Sequence, residues 1–278
     1  MKPTRDDVIK ANISLHTQLA NVYKDTEPHY RTENRVRVEN ILSSLSRRHD
    51  QGSLLDVGCG MGFIIDIAKN HFSKITGIDV TQAMLDRVDP SPGFGEVTVR
   101  IAEIENMPFA ENEFDIVTAY AVIHHLHSLE PAFREIYRVL KPGGSFYTDT
   151  DPNFYFWDAM RQLPDGGFYS GFVTREIDAV KHKDKELEEQ FGVPVDVLNV
   201  AEILKHDGGG FKAEELERML KLIGFSQVEV CYEWFIGEAR VIHSDDTRHC
   251  ACEIRKVLNE MLPLTKHLFK YLRIMACK

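Results

Sequence analysis

The sequence predicts an α/β fold with a doubly wound, mostly parallel β-sheet. Three observations carry this prediction. Short apolar segments alternate with helical patterns between residues 53 and 150, the first segment runs into a glycine-rich turn, and several segments end in an acidic side chain. Strands that alternate with helices at this spacing form parallel βαβ units. The 278 residues suffice for one large domain of this class with an insertion.

The individual elements follow from apolar patterning, turn signals and helix stops. Gly224 is expected to end a late helix, and Thr81 is expected to cap an early one. The last segment, 269–277, alternates apolar and polar residues as a strand does, although a continued helix is the alternative. The predicted strands cover residues 53–57, 74–79, 96–101, 113–119, 145–150, 225–232 and 269–277. The predicted helices cover residues 63–71, 82–88, 129–140, 212–223 and 249–262.

Two regions flank or interrupt this alternation and divide the chain into parts. Residues 1–50 are predicted to form a helical cap, residues 51–150 and 211–278 the core, and residues 151–210 an inserted lid over one end of the sheet. Helical periodicity in the cap gives two apolar faces. The first face contains Ile9, Ile13, Leu15 and Leu19, and the second contains Val36, Val38, Ile41, Leu42 and Leu45.

Composition excludes several classes of protein. The net charge of −10 and the absence of a long Lys/Arg run argue against a dedicated nucleic-acid surface. No apolar run approaches the ~20 residues of a membrane span, and the N-terminus lacks an apolar signal core, so a cytoplasmic location is expected. The five cysteines form no CxxC pair. The segment 249–252 (His-Cys-Ala-Cys) is interpreted as incidental helix residues, and no metal site is predicted.

Polar residues at four predicted strand ends point to a ligand site. In a doubly wound sheet, ligands bind outside the carboxyl ends of the strands. Asp56 lies near the end of the first strand, and the turn with Gly58, Gly60 and Gly62 follows it. Glycine allows a tight turn and close approach to a ligand, and the following helix start offers free N–H groups. A dinucleotide fingerprint would have a third glycine at position 63, where phenylalanine stands.

The other three strand ends extend this site. Asp79, the last residue of the second strand, could accept both hydroxyls of a ribose or could only cap a helix. Glu103, after the third, could accept an exocyclic amine or could be a solvated acid. His124 and His125 follow the fourth strand, and a short loop is expected to point only one of them inward. An adenosine with an amino-acid tail would engage all four strand ends.

The ordered set of segments resembles the class I S-adenosylmethionine-dependent methyltransferases, particularly the small-molecule group with a ubiquinone-biosynthesis-like domain. The matching segments are Leu-Leu-Asp-Val-Gly-Cys-Gly-Met-Gly (54–62), Gly-Ile-Asp (77–79), Ala-Glu-Ile-Glu-Asn-Met-Pro-Phe (102–109), Phe-Asp-Ile-Val-Thr-Ala-Tyr (114–120), His-His-Leu (124–126) and Arg-Val-Leu-Lys-Pro-Gly-Gly (138–144). The resemblance implies a Rossmann-like sheet of seven strands with an antiparallel last strand. It also implies S-adenosylmethionine as cofactor and S-adenosylhomocysteine as product.

The resemblance assigns cofactor contacts residue by residue. It implies that Asp56, Gly58 and Gly60 cradle the methionine part, that Asp79 binds the ribose, and that Glu103 and Ile104 lie at the adenine. The family usually has Asp where this chain has Glu103, which is one methylene longer. Ala119 and Tyr120 would lie near the methionyl amino group and the sulfonium. Cys59 and Val80 complete the predicted cofactor contacts.

The acceptor side is less specified. The resemblance implies that helices before the first strand cover the cofactor, which makes Tyr23, Tyr30 and Arg31 lid candidates; ordinary helix–sheet packing is the alternative. Aromatic residues of the insertion predict an apolar acceptor pocket or simply the insertion's own core. They include Phe154, Trp157 and Tyr169.

The expected reaction is methyl transfer to an oxygen or nitrogen atom of a small-molecule acceptor. His124 or His125 is the candidate general base. The alternatives are a cofactor-binding protein without methyl transfer, other chemistry in the same pocket, and a tRNA or protein methyltransferase. The helix 249–262 could pack on the core or on a second subunit. The sequence is therefore compatible with a monomer or a homodimer.

Overall fold

The computed structural model describes residues 2–91, 93–241 and 245–278, and these residues form a seven-stranded β-sheet. The strand order is β3-β2-β1-β4-β5-β7-β6, with β7 antiparallel to both neighbours and the pairs among β1 to β5 parallel. This confirms the predicted doubly wound sheet and its antiparallel last strand. The strands are β1 Ser53–Val57, β2 Lys74–Asp79, β3 Glu96–Ile101, β4 Phe114–Tyr120, β5 Leu140–Pro152, β6 Ser226–Phe235 and β7 Phe269–Cys277.

Helices cover the sheet and form the N-terminal and inserted regions. Before β1 lie α1 Arg5–Leu19, α2 Tyr23–Thr26 and α3 Thr32–Arg48; between β1 and β5 lie α4 Phe63–Ala68, α5 Gln82–Leu85 and α6 Leu129–Val139. The segment after β5 contains α7 Phe154–Gln162, α8 Gly171–Lys181, α9 Lys183–Phe191, α10 Val195–Ala201, α11 Ile203–His206 and α12 Ala213–Ile223. The described helices after β6 are α13 Glu238–Val241 and α14 Asp245–Glu260. None of the described helices is long and apolar enough to cross a membrane.

The apolar core lies on both faces of the central strands. One cluster packs α6 and α12 on one face, through residues such as Phe133, Ile136 and Leu220. The other packs α3 and α4 on the opposite face, through Leu42 and Ile64. Strands buried on both sides read as continuous apolar runs, which is why β1 could be located from the sequence.

The cap helices bury faces that differ in part from the predicted ones. Helix α1 buries Val8, Asn12, Leu15 and Leu19, while Ile13 is 37% exposed. A capping box between Thr4 and Asp7 fixes the helix start. Helix α1 packs against α10 and against the 3₁₀ turn Ile123–His125, and these contacts bury a face that includes the polar residue Asn12. The assignment of Ile13 to the buried face was therefore wrong.

Several other local predictions differ from the structure. Val36 is 52% exposed although Val38 on the same helix is fully buried. Thr81 is the N-cap residue of α5, but its side chain makes no capping bond. Strand β5 is longer than 145–150 because its ends pair outside the predicted span, with Leu140 opposite β4 and Pro152 opposite β7.

Candidate active site

A cavity lies over the carboxyl ends of β1, β2, β3 and β4, and its empty volume is about 1020 Å³, part of it open to solvent. It is the place where parallel strands of such a sheet bind ligands. The sequence-predicted cofactor residues that line it are Asp56, Gly58, Cys59, Gly60, Asp79, Val80, Glu103, Ile104 and Tyr120.

The glycine-rich turn has a backbone conformation and close contacts that favour glycine. Gly58 has φ of +67° and Gly60 has φ of +50°, values that favour glycine. A Cβ on Gly58 would lie 2.2 Å from a methyl carbon of Val122, whereas one on Gly60 would meet only a Met84 methyl carbon at 3.6 Å. Gly62, also at positive φ, is the N-cap of α4. The turn is therefore tightly packed against Val122 at Gly58 and less crowded at Gly60.

Asp79 both stabilises this turn and faces the cavity. Its Oδ2 accepts the Gly60 N–H at 2.9 Å and its Oδ1 accepts the Thr81 N–H at 2.8 Å. The two roles considered for this acid are compatible, because each carboxylate oxygen can accept more than one hydrogen bond. Among the described residues, no group partners the buried Thr81 hydroxyl, which also lines the cavity.

Asp56 is a buried carboxylate at the base of the cavity. The Thr118 hydroxyl donates to its Oδ1 at 2.7 Å. Burial raises the pKa of Asp56 to about 7, and the negative charge of Asp79 acts in the same direction. A cationic ligand in the cavity would favour the ionised form.

Arg5 was not anticipated from the sequence, and it connects the cap to the cavity rim. Its guanidinium donates to the carboxylates of Glu103 and Glu105, which raise the pKa of Arg5. Glu103 is thus neither freely solvated nor directed only at the cavity. The signal that could have located Arg5 is weak, since ~100 residues separate it from its partners and the helix start alone suggested no contact.

An aromatic wall covers the glycine turn from the side of the cap. Tyr30 packs edge-on against Phe63 with ring centroids 5.3 Å apart, and His29 lies 5.2 Å from the same ring. Tyr23 stands edge-on to both of these cap residues. Burial lowers the pKa of His29 to about 4, so its imidazole is neutral at neutral pH. Tyr120 donates from its hydroxyl to Asn34 Oδ1 at 3.1 Å, and this bond ties β4 to α3.

A second, larger cavity adjoins the first and has an empty volume of about 2010 Å³, part of it open to solvent. Arg31, Trp157, Lys183 and Glu202 are among its lining residues. The residues common to both cavities are His16, Tyr23, His29, Ala121 and His125.

His124 and His125 both line the second cavity, so the expectation that only one would point inward was wrong. They lie in a 3₁₀ turn, and their ring centroids are 4.2 Å apart. His124 Nδ1 donates to Asp151 Oδ1 at 2.8 Å, and His125 Nδ1 donates to the Ala201 carbonyl at 3.2 Å. Acceptors from β5 (Asp151) and α10 (Ala201) therefore hold the two imidazole rings side by side. Burial lowers the pKa of His125 well below its usual value.

Asp151 could have been suspected from the sequence as an acid at the carboxyl end of β5. It is buried and its Oδ2 accepts from the Thr148 hydroxyl at 2.8 Å. Burial raises the pKa of Asp151 while the bond to His124 lowers it.

Three sequence-predicted site residues lie elsewhere. Phe154 and Tyr169 do not line either cavity. Phe154 packs near Gly209 beneath the Lys212 ammonium, and Tyr169 packs against the apolar cluster of α7 and α8. The aromatics of the insertion are thus divided between its own core and the second cavity. Ala119 is buried in β4 and lines neither cavity.

Comparisons with known proteins agree with this geometry. Residues 55–148 match the model of a methyltransferase domain family. The chain is 29% identical over 189 residues to a probable S-adenosylmethionine-dependent methyltransferase of Mycolicibacterium smegmatis, covering 66% of this chain and 70% of the relative. It is 30% identical over 178 residues to a ubiquinone/menaquinone biosynthesis C-methyltransferase of Geobacter sulfurreducens, covering 56% of this chain and 70% of the relative.

A solved structure has the same fold over the whole chain. It is phosphoethanolamine N-methyltransferase 2 of Haemonchus contortus, in complex with phosphomonomethylethanolamine and S-adenosylhomocysteine. The TM-score is 0.53 at 17% identity, and the match covers 100% of this chain and 61% of that one.

Proposed function

Because the chain belongs to the class I S-adenosylmethionine-dependent methyltransferases, we propose that it methylates an oxygen or nitrogen atom of a small-molecule acceptor. The observation that carries the proposal is the junction of the two cavities at His16, Tyr23, His29, Ala121 and His125. The first cavity takes the cofactor, the second takes the acceptor, and the methyl group passes between them at the junction.

The residues of the first cavity fit the cofactor chemically. Asp79 presents a carboxylate at the rim for ribose hydroxyls, and the buried Thr81 hydroxyl has no other partner among the described residues. A Cβ on Gly60 would meet only a Met84 methyl carbon at 3.6 Å, an ordinary contact distance. Asp56 offers a buried carboxylate to the positive end of the ligand. We assign the adenine to the edge formed by Glu103 and Ile104, with Cys59, Val80 and Tyr120 as further contacts.

When bound, S-adenosylmethionine supplies a methyl group activated on a sulfonium. The protein's part is then to position the acceptor and to exclude water. The wall of Tyr23, His29, Tyr30 and Phe63 shields the junction from the side of the cap. Holding the reacting atoms in line can contribute on the order of 7–11 kcal/mol.

His124 and His125 are proposed to activate the acceptor. Asp151 fixes the tautomer of His124, so that Nδ1 carries the proton and Nε2 is free to act. In the simplest form of this activation, Nε2 accepts the proton of the acceptor hydroxyl or amine. A general base contributes roughly 10²–10⁴-fold where the acceptor must lose a proton.

The net charge of −10 supports a small molecule rather than a nucleic acid as the acceptor.

The lining of the second cavity indicates what kind of small molecule it could accept. Its lining combines the apolar surface of Trp157 and Leu187 with charged side chains of both signs, such as Arg31, Lys183 and Glu202. An acceptor with an apolar body and at least one polar group fits this lining.

The proposal is tested by incubating the purified chain with S-adenosylmethionine and metabolite extracts. Mass spectrometry then searches for products heavier by one methylene group, and NMR locates the new methyl on oxygen, nitrogen or carbon. Turnover should fall at least tenfold in a His124→Ala/His125→Ala variant and stay unchanged in His249→Gln, an exposed histidine of α14. Tight cofactor binding without any methylated product would instead favour a non-catalytic binding protein, and a methyl on carbon would contradict the assignment to oxygen or nitrogen.

A further inference from the structure

His124, His125 and Glu202 form a compact group of possible metal ligands beside the junction of the cavities. Each residue offers one ligand atom, and these three atoms all lie within 4.8 Å of one another. All three residues line the second cavity. Two come from the 3₁₀ turn after β4 and the third follows α10, so the insertion and the core each contribute to the group.

The hydrogen bonds of the two histidines select the atoms that they offer. His124 Nδ1 is occupied by the Asp151 carboxylate at 2.8 Å, and His125 Nδ1 by the Ala201 carbonyl at 3.2 Å. Because a carbonyl or carboxylate oxygen accepts, each Nδ1 carries the proton and each Nε2 keeps its lone pair. Metal-bound histidines show this same arrangement, in which the second ring nitrogen donates to a carboxylate or a backbone carbonyl.

Glu202 also has one oxygen available. The described contacts of its carboxylate with Lys205 and His206 both involve Oε2, which leaves Oε1 for a ligand. The Lys205 ammonium opposes a second cation nearby, so binding of a metal ion is expected to be weaker than at a site without it. His16 packs against His125 with ring centroids 5.1 Å apart, and its Nδ1 donates to the Asn12 carbonyl at 2.9 Å. Its Nε2 is thus a further nitrogen beside the group.

We infer that His124, His125 and Glu202 bind a divalent first-row transition-metal ion through two imidazole nitrogens and one carboxylate oxygen. Imidazole suits zinc, iron, copper and nickel, and a site with three protein ligands keeps open positions for a substrate atom. The metal ion would bind the acceptor's hydroxyl oxygen and lower the pKa of that hydroxyl. This use of the ion depends on the proposed function, whereas its binding does not.

The inference changes how the acceptor is activated. The acceptor's hydroxyl proton passes to solvent while its oxygen is bound to the metal ion. The bond from that atom to the methyl carbon forms as the carbon–sulfur bond breaks, and the electron pair of the broken bond stays on sulfur. His124 then acts as a ligand instead of a proton acceptor, since one lone pair cannot serve both purposes.

The test uses the metal-stripped chain with Cys250→Ser and Cys252→Ser, because these two exposed cysteines could bind metal ions by themselves. Cobalt(II) is titrated as a spectroscopic probe and zinc(II) by calorimetry. One ion per chain is expected. His125→Gln and Glu202→Gln should each weaken binding at least tenfold. Asp151→Asn, which replaces the carboxylate that accepts from His124 Nδ1, should weaken it about 10–100-fold. His249→Gln in the same background is the matched control and should leave binding unchanged.

Two results would overturn the inference: no cobalt(II) binding to the background protein, or binding that His125→Gln and Glu202→Gln leave intact. Circular dichroism identifies a variant that does not fold, and the remaining variant then decides. Metal binding without any methyl transfer would leave the site standing and remove the proposed function. Methyl transfer that persists in a metal-stripped chain unable to bind cobalt(II) would remove the site and leave the function.

Discussion

The close approach of Gly58 to Val122 provides a quantitative test of the glycine-rich turn. Gly58 has φ of +67°, and a Cβ built on it would lie 2.2 Å from Val122 Cγ2 and 3.0 Å from Val122 Cβ. Gly58→Ala therefore combines two costs. An L-residue in the left-handed region costs roughly 1–2 kcal/mol, and overpacking costs typically about 1–3 kcal/mol. The free energy of unfolding should fall by about 2–5 kcal/mol.

A double-mutant cycle separates these two costs. Val122→Ala alone removes two partly buried carbon atoms and should cost about 1 kcal/mol. In the double variant the contact is relieved while the backbone cost stays, so the two changes should be less destabilising together than their sum, by about 1–3 kcal/mol. The measurement is urea unfolding of the four proteins, monitored by circular dichroism, with the m-values compared. Costs that add within about 0.5 kcal/mol would refute the predicted contact.

Three further predictions concern the residues that support the site. Burial raises the pKa of Asp56 to about 7. Between about pH 4 and pH 7, Asp56 therefore keeps its proton in the folded chain but loses it in the unfolded chain. The free energy of unfolding should fall as the pH rises through this range. Asp56→Asn should remove that fall, which amounts to about 4 kcal/mol and is measured by urea unfolding of the cofactor-free proteins across this pH range. Arg5→Gln should speed cofactor dissociation up to about fivefold, because partly exposed ion pairs such as those of Arg5 with Glu103 and Glu105 contribute about 1 kcal/mol or less. Stopped-flow chase experiments measure this rate. An unchanged rate would show that these ion pairs do not retain the cofactor. Asn12→Leu should lower the free energy of unfolding by about 1–3 kcal/mol, since the two N–H groups of buried Asn12 Nδ2 are shared among the carbonyls of Val8, His125 and Ala201. An equal or higher stability in urea would contradict that role.

The strands of the sheet could be predicted because local sequence determines them. Predicted and observed boundaries coincide for 53–57, 74–79, 96–101 and 269–277. Buried parallel strands need apolar side chains on both faces, and β7 alternates because its side chains face two environments. The glycine turn and the acids at the ends of β1 to β3 could be predicted to lie together, because the carboxyl ends of parallel strands share one edge of the sheet.

The contacts between distant segments could not be predicted in this way. Which face of α1 is buried depends on α10, nearly 180 residues later, so helical periodicity alone placed Ile13 wrongly. The orientation of His125 depends on the Ala201 carbonyl, and that of His124 on Asp151. The His–His–Glu group was missed because its third member, Glu202, lies in the inserted segment 151–210, whose helices have no fixed relation to the core in the sequence.

Calorimetric titration with S-adenosylhomocysteine is the most direct test that the first cavity holds the cofactor. The chain should bind one equivalent, and Asp79→Asn should weaken binding by about 10–150-fold, since a hydrogen bond to a charged group contributes about 1.5–3 kcal/mol. Asp86→Asn, an exposed acid immediately after α5, is the matched control and should bind as the unmodified chain does. Absence of binding, or equal affinity in the Asp79→Asn variant, would contradict the assignment of this cavity.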